Sequence, residues 1–130
     1  MNEPRWITLH ALLQLHSASL TEFGGRTGIR DRASLDSALA RPQNRFAYEP
    51  NVDIATLASS YSFGLTRNHP FHDGNKRVSF HAAGLFCRLN GYHLKLSDNM
   101  EAIRKVVHLA SGILSEEEFA IWIRSSLASA

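Results

Sequence analysis

Apolar residues recur with the spacing of an α-helix along most of the chain, in six segments separated by residues that favour helix ends. Within the first segment, for example, Leu9, Leu12 and Leu13 fall on one helical face. The segments begin near Trp6, Asp31, Asp53, Asn75, Ser97 and Ser115, and the first five end at Gly24-Gly25, Pro42, Asn68, Asn90-Gly91 and Gly112. Residues 115–118 form a capping box, Ser-Glu-Glu-Glu, for the last helix, which includes Leu127. The sequence therefore predicts an all-α bundle of about six helices.

Residues 41–52 do not follow this pattern, because two prolines are mixed there with aromatic and polar side chains. Pro42 is expected to end the second helix, since proline lacks the backbone N–H that a helix interior requires. We expect an ordered surface loop or a short hairpin over residues 41–52. Such a segment can merely connect two helices, or it can be a flap that contacts another protein. Residues 92–96 alternate briefly and predict a short extended piece.

Length and composition limit the class of protein further. A chain of 130 residues with 44% hydrophobic residues predicts a single folded domain over residues 1–130. The net charge is only +2 and no run of cations occurs, so we expect no direct nucleic-acid binding. No apolar stretch approaches the roughly 20 residues of a membrane helix. With one cysteine, Cys87, and no signal-peptide pattern, we expect a cytoplasmic protein without a membrane partner.

A dense polar cluster at residues 69–77 is hard to explain as packing. It reads His-Pro-Phe-His-Asp-Gly-Asn-Lys-Arg, and a helical apolar pattern begins directly after it. The N-terminus of a helix binds anions, because its first N–H groups lack partners and the helix dipole is positive there. Gly74 lets the backbone approach a ligand closely, and Lys76 and Arg77 add positive charge. Together with Asp73 and His69, these are the parts of a phosphoryl- or nucleotidyl-transfer site.

The cluster resembles the signature loop of the Fic/Doc (Fido) superfamily. With Lys76, the loop resembles that of the death-on-curing branch, because adenylylating Fic proteins carry glycine at that position. Fic proteins also usually carry a second arginine where this chain has Phe80. Further segments typical of death-on-curing proteins are residues 23–25, 28–31, 39–43 and 89–92. The resemblance therefore extends over nearly the whole chain, and it implies a Fido-type bundle with the active-site loop between two central helices.

The resemblance also implies an activity and partners. Death-on-curing proteins are toxins of type II toxin–antitoxin pairs that use ATP and Mg²⁺. They transfer the γ-phosphate to a threonine of elongation factor Tu and thereby stop translation. A neighbouring antitoxin of the prevents-host-death type inhibits them by folding a C-terminal segment against the toxin. The self-inhibitory helix of some Fic proteins has no match here, because Ser97 and Glu101 are followed by Ala102.

Side-chain chemistry and the resemblance together predict a role for each residue of the loop. His69 is the expected general base, because imidazole titrates near neutral pH; a histidine that merely ends a helix is the alternative. Asp73 is the expected Mg²⁺ ligand, or else only a carboxylate that interacts with the helix dipole. The backbone N–H groups of Gly74, Asn75 and Lys76 are expected to bind phosphate oxygens. Lys76 and also Arg77 would neutralise charge that develops during transfer.

Three residues outside the loop are candidate contacts to the target protein or the antitoxin. Arg67 lies two residues before His69 and either contacts the target or orients the loop. Phe46 and Tyr48 lie in the candidate flap of residues 41–52.

Three other functions compete with phosphate transfer. The nearest is AMP transfer to a protein hydroxyl, because the two kinds of site differ by few residues. The second is a metal-dependent phosphohydrolase with a His72-Asp73 doublet, which would leave residues 74–77 without a purpose. The third is a non-catalytic helical module that only binds an antitoxin.

Overall fold

The computed structural model describes residues 2–129 and contains six α-helices and one small antiparallel sheet. The elements in order are α1 (Leu9–Phe23), α2 (Arg32–Tyr48), α3 (Ile54–Asn68), α4 (Asn75–Leu89), β1 (Tyr92–Leu94), α5 (Asn99–Ser111), α6 (Glu116–Ser126) and β2 (Leu127–Ser129). The predicted all-α bundle of about six helices is therefore confirmed. Within the described residues, no helix is long and apolar enough to cross a membrane.

The central helix is α3, which packs against α2, α4 and α6. Small residues allow this close packing: a Cβ added at Gly64 would lie 3.3 Å from the Cβ of Ala38 in α2. Two buried serines bind the neighbouring helices. The hydroxyl of Ser62 donates to the carbonyl oxygen of Ser79 in α4, and that of Ser59 donates to the carbonyl oxygen of Glu116 in α6, both at 2.7 Å. This packing fixes the end of α3 relative to the start of α4, where the polar cluster lies.

Most of the predicted helix ends are confirmed. Asp31 caps α2, Asp53 caps α3, and residues 115–118 form the capping box of α6. Others shift slightly: α1 begins at Leu9 after a Thr8 cap instead of near Trp6, α5 is capped by Asp98 instead of Ser97, and Leu127 belongs to β2 instead of the last helix. The extended piece predicted at residues 92–96 is β1, which pairs with β2.

The prediction for residues 41–52 is wrong over most of its length. Helix α2 continues through Pro42 to Tyr48, so no loop or hairpin begins at residue 41. Pro42 is fully buried on the same face as Leu35 and Ala38, and its burial offsets the helix bond that proline removes. Tertiary contacts hold the second half of the helix as well, since the Arg41 guanidinium binds the Glu116 carboxylate of α6 at 2.7 Å.

Candidate active site

The loop of residues 69–74 connects the C-terminus of α3 to the N-terminus of α4. His69 ends α3 with a left-handed backbone (φ 50°, ψ 56°), and among residues 2–129 no other non-glycine residue has a positive φ. This conformation costs a residue with a Cβ about 1–2 kcal/mol, so the surrounding structure must hold it. His69 is exposed, so its imidazole is accessible from solvent.

The segment of residues 28–31 lies beside this loop and pairs with it like a short piece of antiparallel sheet. The N–H of Arg30 donates to the carbonyl oxygen of Pro70 at 2.7 Å, and the N–H of His72 donates to that of Gly28 at 3.2 Å. Gly28 has a φ of +105°, which a residue with a side chain rarely adopts. The loop is therefore held by a segment about 40 residues earlier in the chain.

Asn75 does not cap α4, contrary to the sequence prediction. Gly74 occupies the cap position, and Asn75 is the first residue of the helix. The buried amide of Asn75 instead binds the loop: its Oδ1 accepts from the N–H of Phe71 at 3.0 Å, and its Nδ2 donates to the carbonyl oxygen of Phe71 at 2.9 Å. Asn75 therefore fixes the loop through its side chain, while its backbone N–H remains at the helix N-terminus.

The N-terminus of α4 differs from every other helix start in the described chain, because no side chain caps it. Gly74 has no side chain to offer and adopts φ +78°. The first turn carries Lys76 and Arg77, although cations are unfavourable at this end of a helix dipole. The other five helices are capped by the side chains of Thr8, Asp31, Asp53, Asp98 and Ser115. The start of α4 is thus open to an anion, and such an anion would remove the electrostatic conflict.

Asp73 lies just before this helix start and is exposed. Its Oδ2 accepts from the backbone N–H of Arg26 at 2.5 Å, and its carbonyl oxygen accepts from Nε2 of His16 at 2.8 Å. His16 is buried and stacks on Phe71 with ring centroids 3.7 Å apart. His16 and Arg26 thus support the site, and residue spacing alone gave no sign of either. The only signal was that the neighbouring residues 23–31 belong to the family-like part of the sequence.

The two cations of the first turn have different surroundings. The Arg77 guanidinium donates to the carbonyl oxygen of Gly24 at 3.0 Å and to the hydroxyl of Ser19 at 3.3 Å, and it lies over the ring of Phe23. Lys76 is exposed, and its ammonium makes no hydrogen bond or ion pair with any part of the chain that the structure describes. Arg77 is therefore a positioned charge, whereas Lys76 is available to a ligand.

Comparison with known proteins agrees with this geometry. Residues 6–87 match the sequence profile of the Fic/DOC family. The chain belongs to this family. It is 32% identical to "Protein kinase doc" of Escherichia phage P1 over 126 residues, which are 97% of this chain and 98% of the relative. It is also 37% identical to "Toxin Doc" of Mycolicibacterium smegmatis over 79 residues, or 60% of this chain and 61% of that relative. The resemblance to the death-on-curing branch is therefore confirmed.

The structure brings most of the predicted site residues together at the Fic/DOC signature loop. The predicted site residues that lie on the loop or the first turn of α4 are His69, Asp73, Gly74, Asn75, Lys76 and Arg77. The predicted contact residues lie elsewhere. Arg67 is exposed on the last turn of α3, over the ring of Phe63. Phe46 is half-buried and packs against Trp6, with ring centroids 5.7 Å apart. Tyr48, at the end of α2, is 89% exposed. Of the two aromatic residues, only Tyr48 offers a large exposed surface to a partner.

The donor set at the start of α4 fits a phosphate chain with Mg²⁺. Magnesium binds through one or two carboxylates together with substrate phosphates and water. Asp73 supplies one carboxylate, and its Oδ2 already has a backbone partner, which fixes the group. Within residues 2–129, no cluster of three or more carboxylate, histidine or cysteine side chains could hold a metal by itself. Asp73 is therefore the residue that could hold an ion that arrives with a nucleotide.

An apolar cleft of about 440 Å³ lies directly beside the two cations, between α4 and α5. Lys76 and Arg77 stand on its wall, and His81 lies farther along α4. Burial lowers the pKa of His81 below its usual value, although the nearby Glu22 carboxylate opposes this, so the imidazole is mainly neutral at pH 7. The apolar lining consists of Phe23, Phe80, Ala102, Ile103, Val106 and Val107.

Proposed function

We propose that this chain is a death-on-curing-type toxin that transfers the γ-phosphate of ATP to a serine or threonine hydroxyl of a protein, with elongation factor Tu as the target. One observation carries the proposal: the start of α4 has no side-chain cap, carries two cations, and follows a loop with an exposed histidine. The name of the phage P1 relative, a protein kinase, supports phosphate transfer.

In this reaction, His69 removes the proton from the target hydroxyl. The hydroxyl oxygen then forms a bond to the γ-phosphorus, while the bond from that phosphorus to the β,γ-bridging oxygen breaks and ADP leaves. The N–H groups at the start of α4 bind phosphate oxygens, and Arg77 neutralises charge from a fixed position. Asp73 would hold Mg²⁺, which when bound neutralises phosphate charge and orients the phosphate chain.

AMP transfer is the second candidate, and Lys76 is the residue that separates the two. Its ammonium is exposed at the first turn of α4 and is not bound by the described part of the chain. A free cation at this position can bind the terminal phosphate that is transferred, and it differs from the glycine of adenylylating Fic proteins. We therefore favour phosphate transfer.

We assign the antitoxin to the apolar cleft beside the active site. Phe23 and Ile103 are each 55% exposed on its rim, although residues of this kind are usually buried. An apolar segment of a prevents-host-death-type antitoxin would cover this surface. It would also lie beside Lys76 and Arg77, so that binding would obstruct the nucleotide.

Intact-protein mass spectrometry of elongation factor Tu tests the activity. The factor is incubated with this protein, ATP and Mg²⁺, and His69→Ala serves as the matched control. We expect one added phosphate with the wild type and a rate at least about 100-fold lower with the variant, because general-base catalysis contributes about 10²–10⁴-fold. An added AMP would favour the second candidate. No modification of this factor or of any protein in a lysate would favour the non-catalytic module.

A further inference from the structure

Arg30 contacts the main chain at the point where α3 ends and the signature loop begins. Its Nε donates to the carbonyl oxygen of His69 at 2.7 Å, and its Nη2 donates to that of Asn68 at 2.9 Å. The backbone N–H groups of Arg30 and Asp31 both donate to the carbonyl oxygen of Pro70, at 2.7 and 3.1 Å. Three successive carbonyl groups are thus bound by two adjacent residues.

His69 requires this support because its left-handed backbone is unfavourable for a residue with a side chain. Pro70 prevents α3 from continuing, since a proline disfavours the helical conformation of the preceding residue. The direction of the imidazole depends on the backbone torsions of His69. The Arg30 guanidinium binds the carbonyl oxygen of His69 and so restricts those torsions. A planar guanidinium can bind two neighbouring carbonyl oxygens with fixed geometry, whereas an ammonium cannot.

The alternative is that Arg30 only stabilises the fold, as a cation near the C-terminus of a helix does. Other contacts already attach α2 to the end of α3 in this region. The Asn68 amide of α3 donates to the carbonyl oxygen of Ser34 in α2 at 2.9 Å, and the backbone N–H of Asp31, just before α2, donates to the carbonyl oxygen of Pro70 at 3.1 Å. These contacts do not involve the Arg30 side chain, whereas the contact to the carbonyl oxygen of His69 does.

We propose that Arg30 is a positioning residue, which holds His69 in the backbone conformation needed for catalysis. The proposal rests on the proposed function, in which His69 is the general base. It assigns Arg30 no contact with the nucleotide or the target. Loss of Arg30 should therefore slow turnover, while the affinity for ATP, which depends on the start of α4, should change little.

Three variants test this assignment: Arg30→Ala, Arg30→Lys and the control Arg32→Ala. Arg32 is the matched control because it lies two residues away and because, within residues 2–129, its side chain forms only an exposed ion pair with Asp36. For Arg30→Ala we expect kcat to fall about 10–100-fold and KM for ATP to stay within about 3-fold, as small misplacements of a catalytic group do. Amide hydrogen exchange at residues 69–72 should become faster. Arg30→Lys should keep wild-type stability in urea but recover only a small part of kcat.

Two results would overturn the assignment. One is a kcat within about 2-fold of wild type for Arg30→Ala with unchanged exchange at residues 69–72. The other is full recovery of kcat by Arg30→Lys, which would show that only the charge matters; this variant also decides the question if Arg30→Ala does not fold. If the wild type itself transfers neither phosphate nor AMP, the proposed function fails separately. The exchange rates then still show whether Arg30 holds the loop.

Discussion

The N-termini of α4 and α6 differ in whether side chains cap their first backbone N–H groups. At α6, the Ser115 hydroxyl accepts from the N–H of Glu118, and the Glu118 carboxylate accepts from the N–H of Ser115. Three glutamates in the first turn match the positive end of the helix dipole. At α4, by contrast, Gly74 offers no side chain, and the first turn carries Lys76 and Arg77. One helix start is capped by side chains of the protein itself, and the other, in our proposal, binds phosphate.

We interpret this difference as a place where the proposed function overrides local stability. A sequence usually makes each local choice agree with the fold, and violations concentrate at functional sites. The start of α4 combines three such violations. It has no side-chain cap, it carries two cations where the helix dipole favours anions, and the loop before it contains a histidine with a left-handed backbone. The helix is held instead by tertiary contacts, such as the hydrogen bond between Ser62 and Ser79.

The largest effect is expected when the uncapped start of α4 is given a carboxylate cap. Gly74→Asp places a competing anion at the cap of α4, and we expect ATP to bind at least about 100-fold more weakly than to Gly74→Ala. The alanine variant is the control because it also places a side chain at φ +78°, at a backbone cost of about 1–2 kcal/mol, without the charge. Its Cβ would meet only ordinary contacts, the nearest being Leu20 Cδ2 at 3.4 Å.

Isothermal titration calorimetry with ATP and Mg²⁺ measures this effect, and urea unfolding verifies that both variants are folded. Equal affinity of the aspartate and alanine variants for ATP would show that the start of α4 is not the phosphate site.

A smaller effect is expected when the side-chain cap of α6 is removed. Ser115→Ala removes the hydroxyl that caps α6, and we expect the free energy of unfolding to fall by about 1 kcal/mol. ATP affinity should not change, because α6 contributes no residue to the signature loop. Urea denaturation measures the stability, and Ser115→Asp, which keeps a capping oxygen, should stay within about 0.5 kcal/mol of wild type. A loss of ATP affinity in Ser115→Ala would contradict the separation of the two helix starts.

The closed helix starts were largely predictable from sequence, whereas the open one was only partly so. Asp31, Asp53 and the capping box at residues 115–118 act within one turn of the chain, so local spacing identifies them. Asn75 has the right residue type for a cap, but its amide binds Phe71 instead. Local rules cannot anticipate that choice, because it depends on how the loop folds back on the helix.

Contacts between distant segments account for the other differences. Pro42 continues α2 because it is buried by other helices, although proline by itself predicts a helix end. His16 and Arg30 support the loop from 57 and 39 residues away, respectively, and no spacing in the sequence reveals them. The position of the signature loop was therefore predictable from residues 69–77, but the residues that hold the loop in place were not.

The smallest effect concerns a closed helix start whose cap can be titrated. Asp53 caps α3 by accepting from the N–H of Thr56 and also binds the Arg124 guanidinium at 2.6 Å. The hydrogen bonds from Arg124 and Thr56 lower the pKa of Asp53 from 3.8 to about 2, although burial opposes them. Since the pKa is lower in the folded state, the carboxylate contributes stability above about pH 4, and this contribution is lost as the pH falls toward 2.

Asp53→Asn should therefore show a smaller loss of stability than the wild type between pH 4 and pH 2. The difference should stay below about 1 kcal/mol, because both side chains are about half exposed and solvent screens the pair. Urea midpoints at the two pH values, with and without added salt, measure it, and other carboxylates cancel because both proteins contain them. Identical acid sensitivity of the two proteins would mean that the cap and its arginine add nothing. The start of α4 has no carboxylate cap, so we expect no corresponding loss of a cap there in acid.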